Sequence, residues 1–424
     1  MILKNQSGRI SHYAFYLTAT AVFIIGGFFV NTQYGKYFKK VESSLSAQVA
    51  GADSIKQVEP APVVRKVTLL AVGDIMMHQA QLDATYNKKN GKYDFSSFFV
   101  NIKPYLNNAD IVYANLETPI AGKELKYSGY PRFNAPAEIL TELKNNYFTH
   151  VSLANNHALD RGVVGLTNTI KNVENSGLIG LGARIQPDTK IALSGTSSLP
   201  NGIVSPISNY QITEKNGLKF GFVSYTYDTN GLTLPKSKSG MLSYINKEQI
   251  VRDINDLKKQ NVDVIVTALH FGVEYKLQEN ASQRELAQLA CNSGANIVLG
   301  DHPHVLEPIT FLKSTNGEKC LVIYSLGNFV SGMTNPYTDL GGILKLEITK
   351  EINPSRVNGS STLSITPDFM GTWVKRGSDK NGNKYYTVLP LDADKIPVSI
   401  NVSKREQDNL EKYRIFVNTK IKAW

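Results

Sequence analysis

Several apolar runs in this chain end in a cluster of carboxylate, amide or imidazole residues, and that repetition limits the fold more than any other feature. Residues 67–72 lead into Gly73-Asp74, and residues 110–114 lead into Asn115-Leu116-Glu117. Residues 148–154 lead into Asn155-Asn156-His157, with Asp160 close behind. Residues 262–270 end in His270, followed by Glu274, and residues 295–299 lead into Gly300-Asp301-His302-Pro303-His304. Two further apolar runs, 219–227 and 321–326, complete the set, the second reaching Asn328. Continuous apolar runs suit strands covered on both faces. Helices are predicted between them over 136–146, 163–175, 247–260 and 282–293. The third follows Asn246, and the last opens on a Ser282/Glu285 capping pattern and stops at Gly294. Strand–helix alternation predicts an α/β fold. The carboxyl ends of its strands form the edge where such sheets bind ligands.

Carboxylate, amide oxygen and imidazole make a mixed nitrogen and oxygen ligand set. It suits Mn, Fe, Zn or a similar divalent ion and does not choose among them. Each cluster alone has an ordinary reading. Asp74 could cap a helix, Asn155-Asn156 could be turn residues, and His270 could be a satisfied core imidazole. His302-Pro303-His304 says more, because proline fixes the backbone between two imidazoles. Four of the seven histidines fall in these clusters, and the shared placement makes a ligand set of them. So many ligands could hold one ion or two, and two ions about 3.5–4 Å apart can clamp the attacking and leaving oxygens of a displacement. Asn115, Asn155, Glu274 and Asn328 are expected to contact substrate or support the ligands. His78, four residues after Asp74, could reach the site or lie at the surface, and Arg132 could meet an anion or be a solvated arginine.

Composition narrows the function. Hydrophobic residues make 42% and charged residues 19% of 424, which excludes wholesale disorder. Two cysteines exclude a disulfide-stapled scaffold and a cysteine-rich zinc site. Cys291 and Cys320 could be bonded or could be two buried thiols. The net charge of +10 invites a nucleic-acid reading, but residues 1–66 hold eight Lys/Arg against three Asp/Glu. No basic helix with interleaved aromatics follows, so nucleic acid is not an expected partner. Residues 13–30 carry no charge and would span about 27 Å as a helix, close to the hydrocarbon thickness of a bilayer. The expected plan is a cytoplasmic tail over 1–12, a single transmembrane helix over 13–30 and a linker over 31–66. The main domain follows over 67–349, with a β-rich extension over 350–424. The apolar run is longer than that of a usual cleaved signal peptide, which favours an anchor; the charged flanks are nearly even, and the short N-terminal tail is what favours a body outside the cytoplasm.

Taken in order, AVGDIMM (71–77), ANLETPI (114–120), LANNHALDRG (153–162), HFGVEY (270–275), GDHPHVLEPI (300–309) and YSLGNFV (324–330) resemble the capsule-synthesis protein CapA family. These are the PgsA-type poly-γ-glutamate synthesis proteins, which in turn resemble the calcineurin-like metallophosphoesterases. The resemblance implies a four-layer α-β-β-α sandwich. It makes Asp74, Glu117, Asn156, His270, His302 and His304 metal ligands, His157 the general acid and Asp160 its orienting partner. It also implies synthesis, export or anchoring of an anionic polymer at the membrane, alongside other subunits of a polymer synthase. The alternatives are a non-catalytic accessory subunit and a general metallophosphoesterase. The sequence departs from the phosphoesterase pattern at Met76, where a histidine is usual, and at Glu117, where an aspartate is usual. Phe271 replaces a common tryptophan.

Overall fold

The computed structural model describes residues 61–185, 209–353, 361–378 and 382–422. The anchor expected over 13–30 lies outside the described residues, as does the linker up to residue 60. Among the described residues no helix is long and apolar enough to cross a membrane.

The described chain runs β1 (Val63–Ile75), α1 (Gln79–Thr85), β2 (Ile111–Leu116), α2 (Glu138–Asn145), β3 (His150–Ser152), α3 (Gly162–Asn175) and β4 (Ile179–Leu181). It continues through β5 (Tyr210–Lys215), β6 (Leu218–Thr226), α4 (Lys247–Lys259), β7 (Val264–His270), α5 (Ala281–Ser293) and β8 (Ile297–Asp301). It ends with β9 (Leu306–Lys313), β10 (Lys319–Leu326), β11 (Asn328–Val330), β12 (Leu340–Ile352), β13 (Ser361–Ser378), β14 (Lys384–Pro390) and α6 (Lys404–Phe416). Short turns of helix and a two-residue hairpin are left unlabelled.

The strands form two mixed sheets. The first has the order β14-β13-β12-β1-β2-β3-β4, with β11 paired to the end of β1; the second has the order β9-β10-β8-β7-β6-β5. In the first sheet β1 to β4 run parallel and β12 to β14 antiparallel; in the second β6, β7, β8 and β10 are parallel between antiparallel edges, so the carboxyl ends of β1 and β2 share one edge of their sheet and those of β7 and β8 one edge of theirs.

Alternation of side chains explains the layering. In β1, Val67, Leu69 and Ala71 enter the core between the sheets, and Leu70, Val72 and Ile75 enter a second core against α2 and α3. In β7, Val264, Val266 and Ala268 share the central core, and Ile265 and Leu269 meet Ile250, Ile254 and Leu257 of α4 in a third. Three cores separate four layers, in the order helices, sheet, sheet, helices. A strand buried on both faces has no polar face to show, which is why these runs read as continuously apolar.

Two details differ from the expectations. Helix α5 starts one residue earlier than expected, and its cap is not Ser282/Glu285. Asn280 Oδ1 accepts from Gln283 N at 2.9 Å, and Gln283 Oε1 accepts from Asn280 N at 2.9 Å. Beyond residue 349 the strands extend the first sheet itself, and α6 follows them. Only Leu410 and Tyr413 of α6 are buried, too thin a stripe to show as periodicity, although Ser403 and Glu406 form a capping box at its start.

Cys291 and Cys320 are joined by a disulfide with Cα atoms 5.7 Å apart, tying α5 to β10. The bond closes a 29-residue separation, for which chain entropy gives about 3 kcal/mol. Thiol titration of the unreduced, denatured chain is expected to find no free thiol. The Cys291→Ser/Cys320→Ser pair is expected to lower the unfolding free energy by about 3 kcal/mol in denaturant melts.

Candidate metal centre

Backbone register assembles the site in two rows. In the first sheet Asp74 is the register partner of both Asn115 and Asn328. In the second, His270 is the register partner of both Thr226 and Asp301. Each row is positioned by a glycine where chains pass closely. A Cβ on Gly73 would sit 1.9 Å from the Gly327 carbonyl oxygen, and one on Gly300 would sit 1.9 Å from the Tyr324 carbonyl oxygen. Only glycine allows Asp74 and Asp301 to follow at these crossings.

The side chains of the two rows converge. Asp74 and Glu117 are fully buried. Asp74 Oδ2 lies 3.0 Å from His304 Nδ1, and Asn115 Nδ2 donates to Asp74 Oδ1 at 2.7 Å. His270 Nε2 lies 2.9 Å from Asn156 Oδ1 and 3.6 Å from Glu117 Oε1, which is also 3.9 Å from His304 Nε2. Three overlapping groups offer ligand atoms all within 4.8 Å of one another: Asp74/Glu117/His304, Glu117/His270/His302 and Glu274/His302/His304. The first two are wholly buried, and the third reaches out through the exposed Glu274.

Acceptors outnumber donors here. Asn115 Nδ2 lies within reach of Asp74 Oδ1, of Glu117 Oε2 at 3.4 Å and of His270 Nδ1 at 3.2 Å, but an amide has two N–H groups for three acceptors. Glu117 Oε1 and His302 Nδ1 are buried with no hydrogen-bond partner. Those orphaned atoms fit a cation, because an unpaired buried acceptor is costly unless something positive reaches it. His302 and His304 also hold positive φ, 102° and 60°, a strained conformation for non-glycine residues that clusters at functional sites.

Burial sets the electrostatics. It pushes the Glu117 carboxyl well above its usual range, with the charge of Asp74 adding to it. Asp301 is raised by burial and by Asp74, against the opposing hydrogen bond from Tyr113 Oη at 2.9 Å. Burial, then the neighbouring imidazoles, hold His270 well below its ordinary value, and burial takes His302 down to about 3. Neutral imidazoles are the form that ligates metal.

The other expected residues take distinct places. His157 Nδ1 sits 2.8 Å from Asp160 Oδ2, which also accepts from Phe133 N at 2.7 Å. Against a carboxylate, Nδ1 is the donor, which leaves Nε2 as the ring nitrogen available for proton transfer. Asn155 does not reach the ligand atoms; it donates to Asn115 Oδ1 at 3.3 Å and to the Leu116 carbonyl at 2.9 Å. Asn328 Oδ1 lies 3.2 Å from His304 Nδ1, and its Nδ2 donates to the Thr338 carbonyl at 2.9 Å. His78 accepts from Gly332 N and packs edge-on against Phe133 rather than joining the cluster. The exposed Arg132 offers its backbone carbonyl to Arg161 and Ser128.

Sequence reasoning missed two supports. Tyr227 and Tyr275 set their rings over His302 and His304, at 4.6 and 6.1 Å between centroids. Glu307 is fully buried and accepts from Gln283 Nε2 at 2.6 Å. The same Gln283 amide backs Gly272, at the start of the loop that carries Glu274. The double use of Gln283, as cap and as prop, left no periodic signal.

A family model described as bacterial capsule synthesis protein PGA_cap matches residues 68–333. The chain belongs to this family. Two relatives are similar over most of their length. The capsule biosynthesis protein CapA of Bacillus anthracis is 28% identical over 346 residues, 78% of this chain and 74% of the relative. The PGA biosynthesis protein CapA of Bacillus subtilis is 29% identical over 307 residues, 70% of each chain. Among solved structures, the calcineurin-like phosphoesterase YfkN of Bacillus subtilis aligns with a TM-score of 0.41 and 16% identity, over 83% of this chain and all of the other. The matched PGA_cap region contains every expected site residue, from Asp74 to Asn328.

Glu307 gives this family member a testable pH signature. Burial lifts its carboxyl to about 8 from an unfolded value of 4.5. The folded form therefore holds the proton longer, and the cost of ionisation grows as pH rises from about 4.5 to 8. Glu307→Gln is expected to raise stability by on the order of a few kcal/mol above pH 8 and to change it little below pH 4.5. Thermal melts at pH 4 and pH 9 check this.

Proposed function

We propose that this PGA_cap protein is a membrane-anchored, extracytoplasmic, metal-dependent hydrolase that serves synthesis, export or anchoring of an anionic capsule polymer of the poly-γ-glutamate type. The observation that carries the metal reading is the pair of orphaned buried acceptors, Glu117 Oε1 and His302 Nδ1, inside a ring of further ligand atoms. Asp74, Glu117 and His304 would hold one divalent ion, and Glu117, Asn156, His270 and His302 a second. Met76 leaves the first position without its usual histidine, and one ion is also compatible with the set. Mn, Fe and Zn all suit these donors. A divalent ion would supply a Lewis acid that polarises a phosphoryl or acyl oxygen and acidifies water.

The chain's own residues would do the rest. Asp160 orients His157 through Nδ1, and Nε2 is left to give a proton to the leaving group. Asn115 braces Asp74 and Glu117, and Asn155 braces Asn115. Support for the polymer comes from the family and from the two CapA relatives, one of them named for PGA biosynthesis. Support for a body outside the cytoplasm comes from the uncharged run over 13–30 and from the Cys291–Cys320 disulfide, a bond favoured in oxidising compartments. Other membrane subunits of a polymer synthase are the partners this reading implies.

The test is turnover of an aryl phosphate by the full-length chain loaded with Mn²⁺. His157→Asn is expected to lower kcat by roughly 100-fold or more and to remove the acidic group from the pH profile of kcat, with bound metal unchanged. Unchanged kcat in this variant would overturn its role as acid. No turnover by the wild type, with polymer output intact in a His157→Asn strain, would favour the accessory-subunit reading.

A further inference from the structure

A cavity of about 400 Å³ lies between the loop 334–339, β13 and α6. Three cations line it, Arg376 from β13 and Arg405 and Lys412 from α6. Among the described residues none of the three makes an ion pair, and the acids of α6 are already taken. Glu406 pairs with Lys375, Asp408 with Lys404, and Glu411 with Arg414. Arg405 and Lys412 lie seven residues apart on α6, so they fall on one face, with Asn409 between them. The cavity's one carboxylate, Asp339, has both oxygens engaged. It accepts from Tyr413 Oη at 2.7 Å and from Trp373 Nε1 at 3.1 Å.

The walls are fixed in place. Tyr337 packs against Tyr413 and Phe416 at 5.4 and 5.2 Å between centroids. Hydrogen bonds connect the loop that lines the cavity to the histidine cluster. His304 meets Asn328, Asn328 donates to the Thr338 carbonyl, and the neighbours of Thr338 on either side, Tyr337 and Asp339, line the cavity.

We propose that the Arg376/Arg405/Lys412 cavity is an anion subsite that holds carboxylates of a polyanionic chain while another part of that chain reaches the metal centre. This rests on the reading of the protein as one that handles a carboxylate polymer. All three cations lie beyond residue 333, where the family match ends. Three unpaired cations suit a ligand that repeats its charge at intervals, and two guanidinium groups suit planar carboxylates. A single small anion would need only one of them.

The test measures binding of a fluorescent poly-γ-glutamate oligomer to the full-length chain in detergent, after chelation so that no metal contributes. Affinity is expected to fall as salt rises. Arg405→Glu/Lys412→Glu, both exposed, is expected to weaken binding by roughly tenfold, about 1.4 kcal/mol, and to flatten the salt dependence. Arg376→Gln is expected to weaken it separately. The circular dichroism spectrum of each variant reports that the fold is kept. Wild-type affinity in the double variant would overturn the proposal, as would a polyphosphate of equal charge that binds as tightly as the carboxylate chain. Because the assay runs without metal, loss of the hydrolase reading would leave its outcome unchanged.

Discussion

Burial of carboxyl groups without a fixed positive charge is the constraint on which the rest of this structure turns. Asp74, Glu117 and Asp301 lie together out of water. Among the described residues Asp74 and Glu117 meet only histidines as ion-pair partners, and Asp301 accepts from Tyr113, with no lysine or arginine paired to any of the three. The imidazoles cannot easily supply the missing charge, since burial and mutual repulsion keep His270 and His302 neutral. A protein has two ways out of such an arrangement: protonate the acids or bring in a cation. The raised carboxyls of Glu117 and Asp301 are the first way, and a divalent ion among neutral imidazoles and carboxylates is the second. The same groups are thus costly to bury alone and well matched to a metal.

The architecture exists to bring these groups together. Two sheets, each with a block of adjacent parallel strands, deliver strand ends to the site, and the apolar core between them fixes how the two rows of ligands face each other. Register does the fine positioning, with Asp74 between Asn115 and Asn328, and His270 between Thr226 and Asp301. The local cost is visible in the positive φ of His302 and His304 and in the glycines needed at the two backbone crossings. Strain of this kind persists only when surrounding structure over-determines it.

Strands, central helices and the approximate place of the site were legible because two-sided burial makes continuous apolar runs, and because the polar residues sit just past their ends. His157 with Asp160 was legible from their short separation and the family pattern. What was hidden depends on long-range contacts. Glu307 reads as an ordinary acid until Gln283 is seen beside it, and which residue Asn155 supports emerges only when its amide is seen on Asn115. Helix α6 was hidden by its thin buried stripe, and with it the cation-lined cavity. The α5 cap was misplaced by two residues because Ser282/Glu285 and Asn280/Gln283 both satisfy the same pattern, and only the backbone geometry chooses between them.

The most direct check is elemental analysis of the purified full-length chain, reconstituted with Mn²⁺, Fe²⁺ or Zn²⁺ and then freed of loose ions. The account expects about one or two tightly held ions per chain, with loss of most of them in Glu117→Gln, whose side chain belongs to both buried ligand groups. Fewer than about 0.2 ion per chain, whichever metal is offered, would contradict it.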